Sequence, residues 1–345
     1  MKILVTGTEG YLGSLIAPLL MKHGHELVGV DTGFYKEGWL YNGSSVTART
    51  LVKDIRDISA EDLRGMEAVV HTAELSNDPT GELAPNITYD INHKGSVRLA
   101  ELAKAAGVTR FVYMSSCSVY GVAQGDVPVN EESSVNPQTA YAKCKVLVEQ
   151  DLKPMAGDHF SPTFLRNATA YGFSPRLRGD LVVNDLVGHA LLAGNIGLRS
   201  NGMAWRPLVH ADDIASAFIA LLEAPRDVVH ARAYNVGHSD ENYLVRDIAN
   251  LVQEIVGGEV TFAEGAGADA RNYRVTCDRI AAEVPEFKPQ WTVRKGIEQL
   301  VENYKRYDLQ LTDLFGERHQ RLKKINALHA AGKIGSDLRW TESAR

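Results

Sequence analysis

Lys2-Ile-Leu-Val-Thr-Gly7-Thr-Glu-Gly10-Tyr-Leu-Gly13 is the stretch on which the fold turns. Five residues, Lys2 to Thr6, make a short apolar strand. Three glycines at spacings of three follow without a break, and Ser14 to His23 then repeats apolar residues at helical spacing. A strand running into a helix through such a loop brings backbone amides and the positive helix end to one point, where glycines admit a pyrophosphate. A second apolar run, Glu26-Leu-Val-Gly-Val-Asp31, ends in a carboxylate 18 positions past Gly13. That is the place for an acceptor of ribose hydroxyls, and a carboxylate there repels a 2′-phosphate. A glycine loop alone is weak; set between strand and helix with Asp31 behind it, it points to a dinucleotide, with NAD favoured over NADP.

Outward from this unit the alternation continues. Strands are expected at Glu67–Thr72, Arg110–Ser115 and Thr163–Asn167, with helices at Ser96–Ala106 and Tyr141–Leu152. Short apolar runs separated by helical patterning are what buried parallel strands require. The fold class is therefore α/β, a Rossmann-type doubly wound parallel sheet. The pattern breaks after Gly172. A basic turn, Pro175-Arg-Leu-Arg-Gly179, precedes a helix at Asp180–Leu192; strands near Gly197–Ser200 and Glu259–Phe262 suggest a smaller substrate-binding lobe, and the chain rejoins the sheet near Ala233–Val236. The expected division is residues 1–172 and about 205–240 for the NAD-binding domain, about 173–204 and 241–310 for the interleaved lobe, and 311–345 for a C-terminal helix and tail. Leu322, Ile325 and Leu328 repeat at helical spacing beside Arg318, Arg321, Lys323 and Lys324, read as a helix packed on its own protein. The residues after Gly332 are expected to be loosely held.

Bulk properties narrow the class. The 345 residues carry 37 basic and 43 acidic side chains, a formal charge of −6. Neither nucleic acid nor a membrane surface is a partner expected from that balance. Cys117, Cys144 and Cys277 are too few and too scattered for a disulfide framework or a metal site, which with the absence of a signal-like start suggests a reducing cytoplasm. Cys117 reads as a small filler more readily than as a reactive thiol.

Tyr141 and Lys145 stand four apart in a helical stretch, 25 positions after Ser116. That spacing puts phenol and ammonium on one helix face. An ammonium favours the phenolate, and a serine can bind the same substrate oxygen. The three make a proton-transfer device for an alcohol or ketone.

Together these residues resemble the extended short-chain dehydrogenase/reductase family of nucleotide-sugar epimerases and dehydratases, from about Met1 to Tyr307. Gly7, Gly10 and Gly13, with Tyr11 and Leu12 between them, match its glycine loop. Asp54-Ile55 matches the pair that holds adenine, and His71-Thr72-Ala73 the end of a strand beside the cofactor. Asn92 matches the asparagine before the fourth helix. Ser115-Ser116-Cys-Ser-Val-Tyr120-Gly121 matches the serine segment, and Tyr141 with Lys145 the YxxxK pair. Trp205-Arg206-Pro-Leu-Val-His210-Ala-Asp-Asp213 and Tyr234-Asn-Val-Gly237 resemble later segments. The resemblance implies Tyr141 as acid/base, Lys145 as its tuner and holder of the nicotinamide ribose, and Ser116 as a binder of the reacting oxygen. It implies Arg206 and Arg271 as a diphosphate clamp, with Thr169 and Asn184 as lesser substrate contacts. Thr169 replaces the usual asparagine of the Arg166 to Gly172 segment, and Glu74 replaces a small alanine or glycine beside the nicotinamide. The segment Ala270-Arg271-Asn-Tyr273-Arg274 resembles a common variant.

The implied activity is nucleotide-sugar epimerisation through a transient keto-sugar, most often at C4. A stand-alone NDP-4-ketosugar reductase shares every motif. A 4,6-dehydratase needs a further acid and base, which Cys117-Ser118 do not supply. A non-catalytic dinucleotide-binding module conflicts with the intact Ser116, Tyr141 and Lys145. The resemblance also implies a homodimer pairing Ser96–Ala106 and Tyr141–Leu152 across a two-fold axis, with Leu99, Leu102, Val146 and Leu147 as contacts.

Overall fold

A computed structural model describes residues 1–41, 48–76, 81–82, 84–122, 127–263, 265, 267 and 271–342. The strands are β1 (Lys2–Thr6), β2 (Glu26–Asp31), β3 (Arg49–Val52), β4 (Ala68–His71), β5 (Arg110–Ser116), β6 (Ser161–Asn167), β7 (Thr169–Tyr171), β8 (Asn195–Leu198), β9 (Trp205–His210), β10 (Ala233–Val236), β11 (Asn242–Leu244) and β12 (Glu259–Phe262). The longer helices are α1 (Gly13–Lys22), α2 (Ser96–Ala105), α3 (Ala140–Leu152), α4 (Val182–Ala193), α5 (Ala211–Glu223), α6 (Val245–Val256), α7 (Val293–Arg306) and α8 (Arg321–Ala330).

Seven strands form one parallel sheet in the order β10-β6-β5-β4-β1-β2-β3. The order reverses between β1 and β4, the crevice where ligands of doubly wound sheets bind. Side chains alternate through the sheet as a period of two demands. Ile3 and Val5 join the core against α1 and α5, while Leu4 joins the core against α2 and α3. Both faces are covered, so the strands read as apolar runs without polar alternation.

Beyond β6 the chain builds a third core. There α4, α6 and α7 pack with the parallel pair β8–β12 and the three-stranded sheet β11-β9-β7. The short strand β7 leaves the large sheet after Asn167 and pairs with β9, carrying Tyr171 and Gly172 across to the first loop. Sequence patterning lacks β3, β7, β9 and β11. The first is a half-exposed edge strand and the second has three residues, so neither shows enough periodicity.

Two expectations need correction. Leu99 is fully buried in the core between the sheet and α2, so it cannot be a subunit contact; Leu102, Val146 and Leu147 are only partly buried. Residues 333–342, beyond Gly332, are held, not loose. Ile334 and Leu338 are buried, Gly335 N–H donates to the Arg339 carbonyl at 2.9 Å, and the Trp340 indole donates to the Thr32 carbonyl at 2.6 Å. No described helix is long and apolar enough to cross a membrane.

Candidate functional site

The glycine loop is packed too closely for side chains. Gly7 has φ +79°, and a Cβ there would lie 2.7 Å from Thr72 Oγ1. A Cβ on Gly13 would lie 1.9 Å from the Gly7 carbonyl oxygen. Both positions therefore demand glycine. A Cβ on Gly10 would come to 3.0 Å from the same carbonyl. Leu12 is the first residue outside α1, whose first turn holds no acidic side chain to neutralise its positive end. The Tyr11 hydroxyl, buried, donates to the Gly172 carbonyl at 2.9 Å and ties the loop to the third core.

Asp31 closes β2 beside that loop. Its carboxylate accepts the Glu9 N–H at 3.0 Å and the Gly33 N–H at 2.8 Å. Burial raises its pKa and the two amides pull it back. Each oxygen keeps lone-pair capacity for a ribose hydroxyl. Asp54 is already engaged: it caps a turn through the Arg56 N–H and pairs with the Arg56 guanidinium at 2.8 Å, which leaves Ile55, buried behind it, as an apolar wall.

Three elements meet at the end of β4. Thr6 Oγ1 accepts the N–H groups of Thr72 and Ala73, each at 3.1 Å, and Thr72 Oγ1 donates to the Thr6 carbonyl. His71 bridges Thr6 Oγ1 and Ser96 Oγ at 2.7 and 2.8 Å. Burial, then the Lys145 charge, hold this imidazole down at about 3, so it stays neutral. Asn92 is fully buried, and its carboxamide makes a two-way bond with the Leu75 backbone at 2.9 and 3.1 Å. Asn92 thereby fixes the loop carrying Ala73 and Glu74.

Thr139 caps α3, its hydroxyl accepting the Ala142 N–H at 3.2 Å. Tyr141 and Lys145 then share the face turned to β5, as the spacing predicts, while Lys143 is exposed. Lys145 Nζ lies 5.2 Å from the Tyr141 ring centroid and 4.7 Å from that of Tyr113. It also donates to the Met114 carbonyl. Its closest charge is Glu74, with Nζ to Oε2 2.5 Å and side chains 2% and 3% exposed. The Tyr113 hydroxyl donates to the other Glu74 oxygen at 2.6 Å. Glu74 thus faces inward onto the lysine.

Ser116 ends β5, its hydroxyl accepting the Ser118 N–H at 3.1 Å, which leaves its proton for another acceptor. Ser115 turns the other way and donates to Glu149 at 2.5 Å. Glu149 pairs with Arg166 at 2.6 Å, and Arg166 donates to the Tyr120 hydroxyl at 3.1 Å. This buried chain locks the end of β5 against α3. The Cys117 thiol is buried against the Arg166 carbonyl and burial pushes it well above its ordinary range, in keeping with a filler.

The substrate-side residues divide. Arg206 donates to the Arg271 carbonyl at 2.6 Å, so these two are adjacent; Ala270 lies outside the described residues. Thr169 is half-buried on β7 beside Leu208. Asn184 departs from the expectation of substrate contact. It is fully buried, accepts the Gly172 N–H at 2.9 Å, and spends both amide hydrogens on the Gly172 and Arg178 carbonyls at 3.0 and 2.9 Å.

Arg176 belongs to the basic turn Pro175-Arg-Leu-Arg-Gly179. It is 1% exposed, its Nε donates to the Glu9 carbonyl of the glycine loop, and its two terminal nitrogens have no hydrogen-bond partner among the described residues. Burial, then the neighbouring Arg321 charge, push it down to about 9. An unpaired buried guanidinium is costly without an anion or acceptor. A dinucleotide brings both to this place, so the residues present fit it. The signal in the sequence was the basic turn; only the tertiary contact with Glu9 distinguishes it from a solvated loop.

Residues 3–237 match the NAD dependent epimerase/dehydratase family. The UDP-glucose 4-epimerase of Mycolicibacterium smegmatis is 30% identical over 322 residues, covering 88% of this chain and 99% of its own. That of Corynebacterium glutamicum is 30% identical over 275 residues, 74% and 81% of the two chains. Among solved structures, MoeE5 in complex with UDP-glucuronic acid and NAD has a TM-score of 0.78 at 23% identity, covering 90% of this chain and 100% of that one. The UDP-glucuronic acid 4-epimerase from Bacillus cereus, with UDP-glucuronic acid and NAD, has 0.77 at 23%, covering 89% and 99%. At these identities the structures show a shared fold. The match over the sheet and glycine loop, with relatives aligned along most of the chain, places it in the NAD dependent epimerase/dehydratase family, NAD-using enzymes of the extended short-chain dehydrogenase/reductase type.

Proposed function

We propose that this chain is a nucleotide-sugar 4-epimerase working through a transient 4-keto-sugar. The observation that carries the reading is Lys145 set beside Tyr141 on the face of α3 turned to β5, at the crevice where the glycine loop also ends. NAD, when bound, supplies a hydride acceptor and donor at the nicotinamide. Tyr141 takes the proton of the sugar hydroxyl and returns it to the ketone oxygen. Ser116 donates to that oxygen as charge develops on it. Lys145 orients the phenol and offers its remaining N–H to a ribose hydroxyl. Asp31 holds the adenosine ribose, Ile55 flanks the adenine, and Thr72 and Ala73 line the groove between. Arg206 and Arg271 take the substrate diphosphate, where guanidinium geometry suits paired phosphate oxygens, and Thr169 borders the sugar. We further propose a homodimer through the outward faces of α2 and α3, with Leu102, Val146 and Leu147 as contacts.

The relatives' printed activity favours UDP-glucose as the first substrate to try. The NAD-loaded protein is incubated with UDP-glucose and other NDP-hexoses, and product configuration and NADH absorbance are read. A C4 epimer with no net NADH supports the proposal. Consumption of NADH with a ketosugar substrate points instead to a reductase, and a 6-deoxy-4-keto product to a dehydratase. Light scattering that shows a monomer at micromolar concentration rules out the dimer.

A further inference from the structure

The carboxylate of Glu74 stands where the family resemblance implies a small residue, and nothing in the proposed reaction requires it. It comes from the loop after β4, fixed by Asn92 holding Leu75. One oxygen is 2.5 Å from Lys145 Nζ and the other accepts from the Tyr113 hydroxyl at 2.6 Å. Both charged groups are almost wholly buried. A pair of opposite charges in so dry a place acts on its neighbours as a small dipole, whereas a lone ammonium acts as a full charge.

We propose that Glu74 is a positioning residue that clamps the Lys145 ammonium and cancels much of its field at Tyr141, so that the Tyr141 phenol holds its proton to a higher pH than an unpaired lysine would allow. The inference rests on Tyr141 being the acid/base of the reaction.

The surrounding groups leave this pair in control of the local charge. On β4, His71 is held neutral. On β5, the buried Tyr113 is pushed well above its ordinary range by burial and by Glu74, so it stays a phenol. On α3, burial pushes the Cys144 thiol up to about 12. Glu149, also on α3, is neutralised by Arg166. Glu82, from the segment between β4 and α2, accepts the Ala140 N–H at 2.8 Å at the start of α3, and the adjoining Gly81 packs against Tyr141, so Glu82 is a constant charge in every variant compared. Burial leaves Glu74 above the ordinary carboxylate range, although the Lys145 charge and the Tyr113 hydroxyl draw it back. The ammonium also donates to the Met114 carbonyl, while its contact with Glu74 is an ion pair at 2.5 Å.

The experiment reads the phenol directly. Near-ultraviolet absorbance of the NAD-loaded protein is titrated with base, and the same titration of Tyr141→Phe is subtracted to isolate Tyr141. Glu74→Gln keeps the side-chain volume and removes the charge; the Tyr141 midpoint is expected to fall by about two pH units, the size of a unit charge at several ångströms in an effective dielectric near 20. Glu74→Asp keeps the charge and is expected to stay within a few tenths of a unit of the parent. Should Glu74→Gln fold poorly, Glu74→Ala restores the small residue usual in the family and must shift the midpoint the same way. With a turnover assay, the acid limb of kcat/KM moves down with it. An unmoved midpoint in a folded Glu74→Gln or Glu74→Ala overturns the inference. Tyr141→Phe with near-parental turnover overturns the proposed function instead, so the two failures are distinct.

Discussion

The two ends of the groove proposed for the dinucleotide, one for the nicotinamide and one for the adenosine, are built by different means. At the nicotinamide end, Ser116, Tyr141, Lys145 and Glu74 come from β5, α3 and the loop after β4, elements close in the sheet and joined by short-range packing. The two buried cations there are paired: Lys145 with Glu74, and Arg166 with Glu149. At the adenosine end, Asp31 is surrounded by segments from far along the chain. Arg176, in the loop after β7, donates to the Glu9 carbonyl of the glycine loop. Arg321, from α8, lies 4.0 Å over the Tyr35 ring, and Trp340 packs against Phe34 at 5.2 Å between centroids. Here Arg176 has no partner for its terminal nitrogens among the described residues, and a cavity of about 230 Å³ opens beside it, between Tyr35, Gly38 and Arg318. One end is balanced without cofactor; the other is left with an unsatisfied cation. A buried charge of that kind lowers stability, and a ligand that pairs with it raises stability by linkage.

The largest effect that tests the contrast lies at the balanced end. Tyr141→Phe is expected to lose about 10²- to 10⁴-fold in turnover, the range for an acid/base group, while NAD binding by titration stays near parental. Equal losses in both would erase the distinction between the ends. Next is Arg176→Met. It removes the unpaired charge and keeps most of the buried stem. NAD affinity by calorimetry is expected to fall about tenfold to a hundredfold, as for the loss of a hydrogen bond to a charged group, while the melting temperature of the cofactor-free protein stays level or rises. A lower melting temperature with unchanged affinity would make Arg176 a purely structural residue. Asp31 sharpens the adenosine end further: NADPH is expected to bind at least tenfold more weakly than NADH, and equal binding refutes its role in selection. Trp340→Ala should weaken NAD binding only a few-fold, since the indole acts through Phe34 and Thr32.

The smallest expected effect is an absence of titration. His71, held at about 3 against an ordinary 6.5, should show no protonation by NMR from about pH 5 to 8. Because the folded value lies below the unfolded one, its share of stability is complete above 6.5 and is lost as pH falls toward 3. A midpoint near 6.5 would mean that the Thr6–His71–Ser96 chain opens to water.

Several of these residues were legible in one dimension, others not. The Tyr141–Lys145 spacing is a property of one helix, and the glycine spacing of one loop, so local periodicity carries both. Asn92 and Asn184 show the opposite case. Each matched a ligand-facing position by resemblance, yet each spends its carboxamide on backbone from another segment: Leu75 for the first, Gly172 and Arg178 for the second. Hydrogen-bond partners chosen across the fold leave no periodic trace. The tail after Gly332 looked unheld because its few apolar residues show no pattern of their own; Ile334, Leu338 and Trp340 find their partners on the sheet side of Thr32 and Phe34.

The chain alone determined the parallel sheet, the glycine loop, the acid at the end of β2 and the phenol–ammonium pair, because each depends on neighbours within a few residues and on the periods of strand and helix. Tertiary structure decided the charges around them. Whether Glu74 faces Lys145 or water, and whether Arg176 is solvated or buried without a partner, depends on β4 meeting α3 and on the loop after β7 crossing the glycine loop. Electrostatic strength is set by distance and burial, and both exist only once segments remote in sequence have packed.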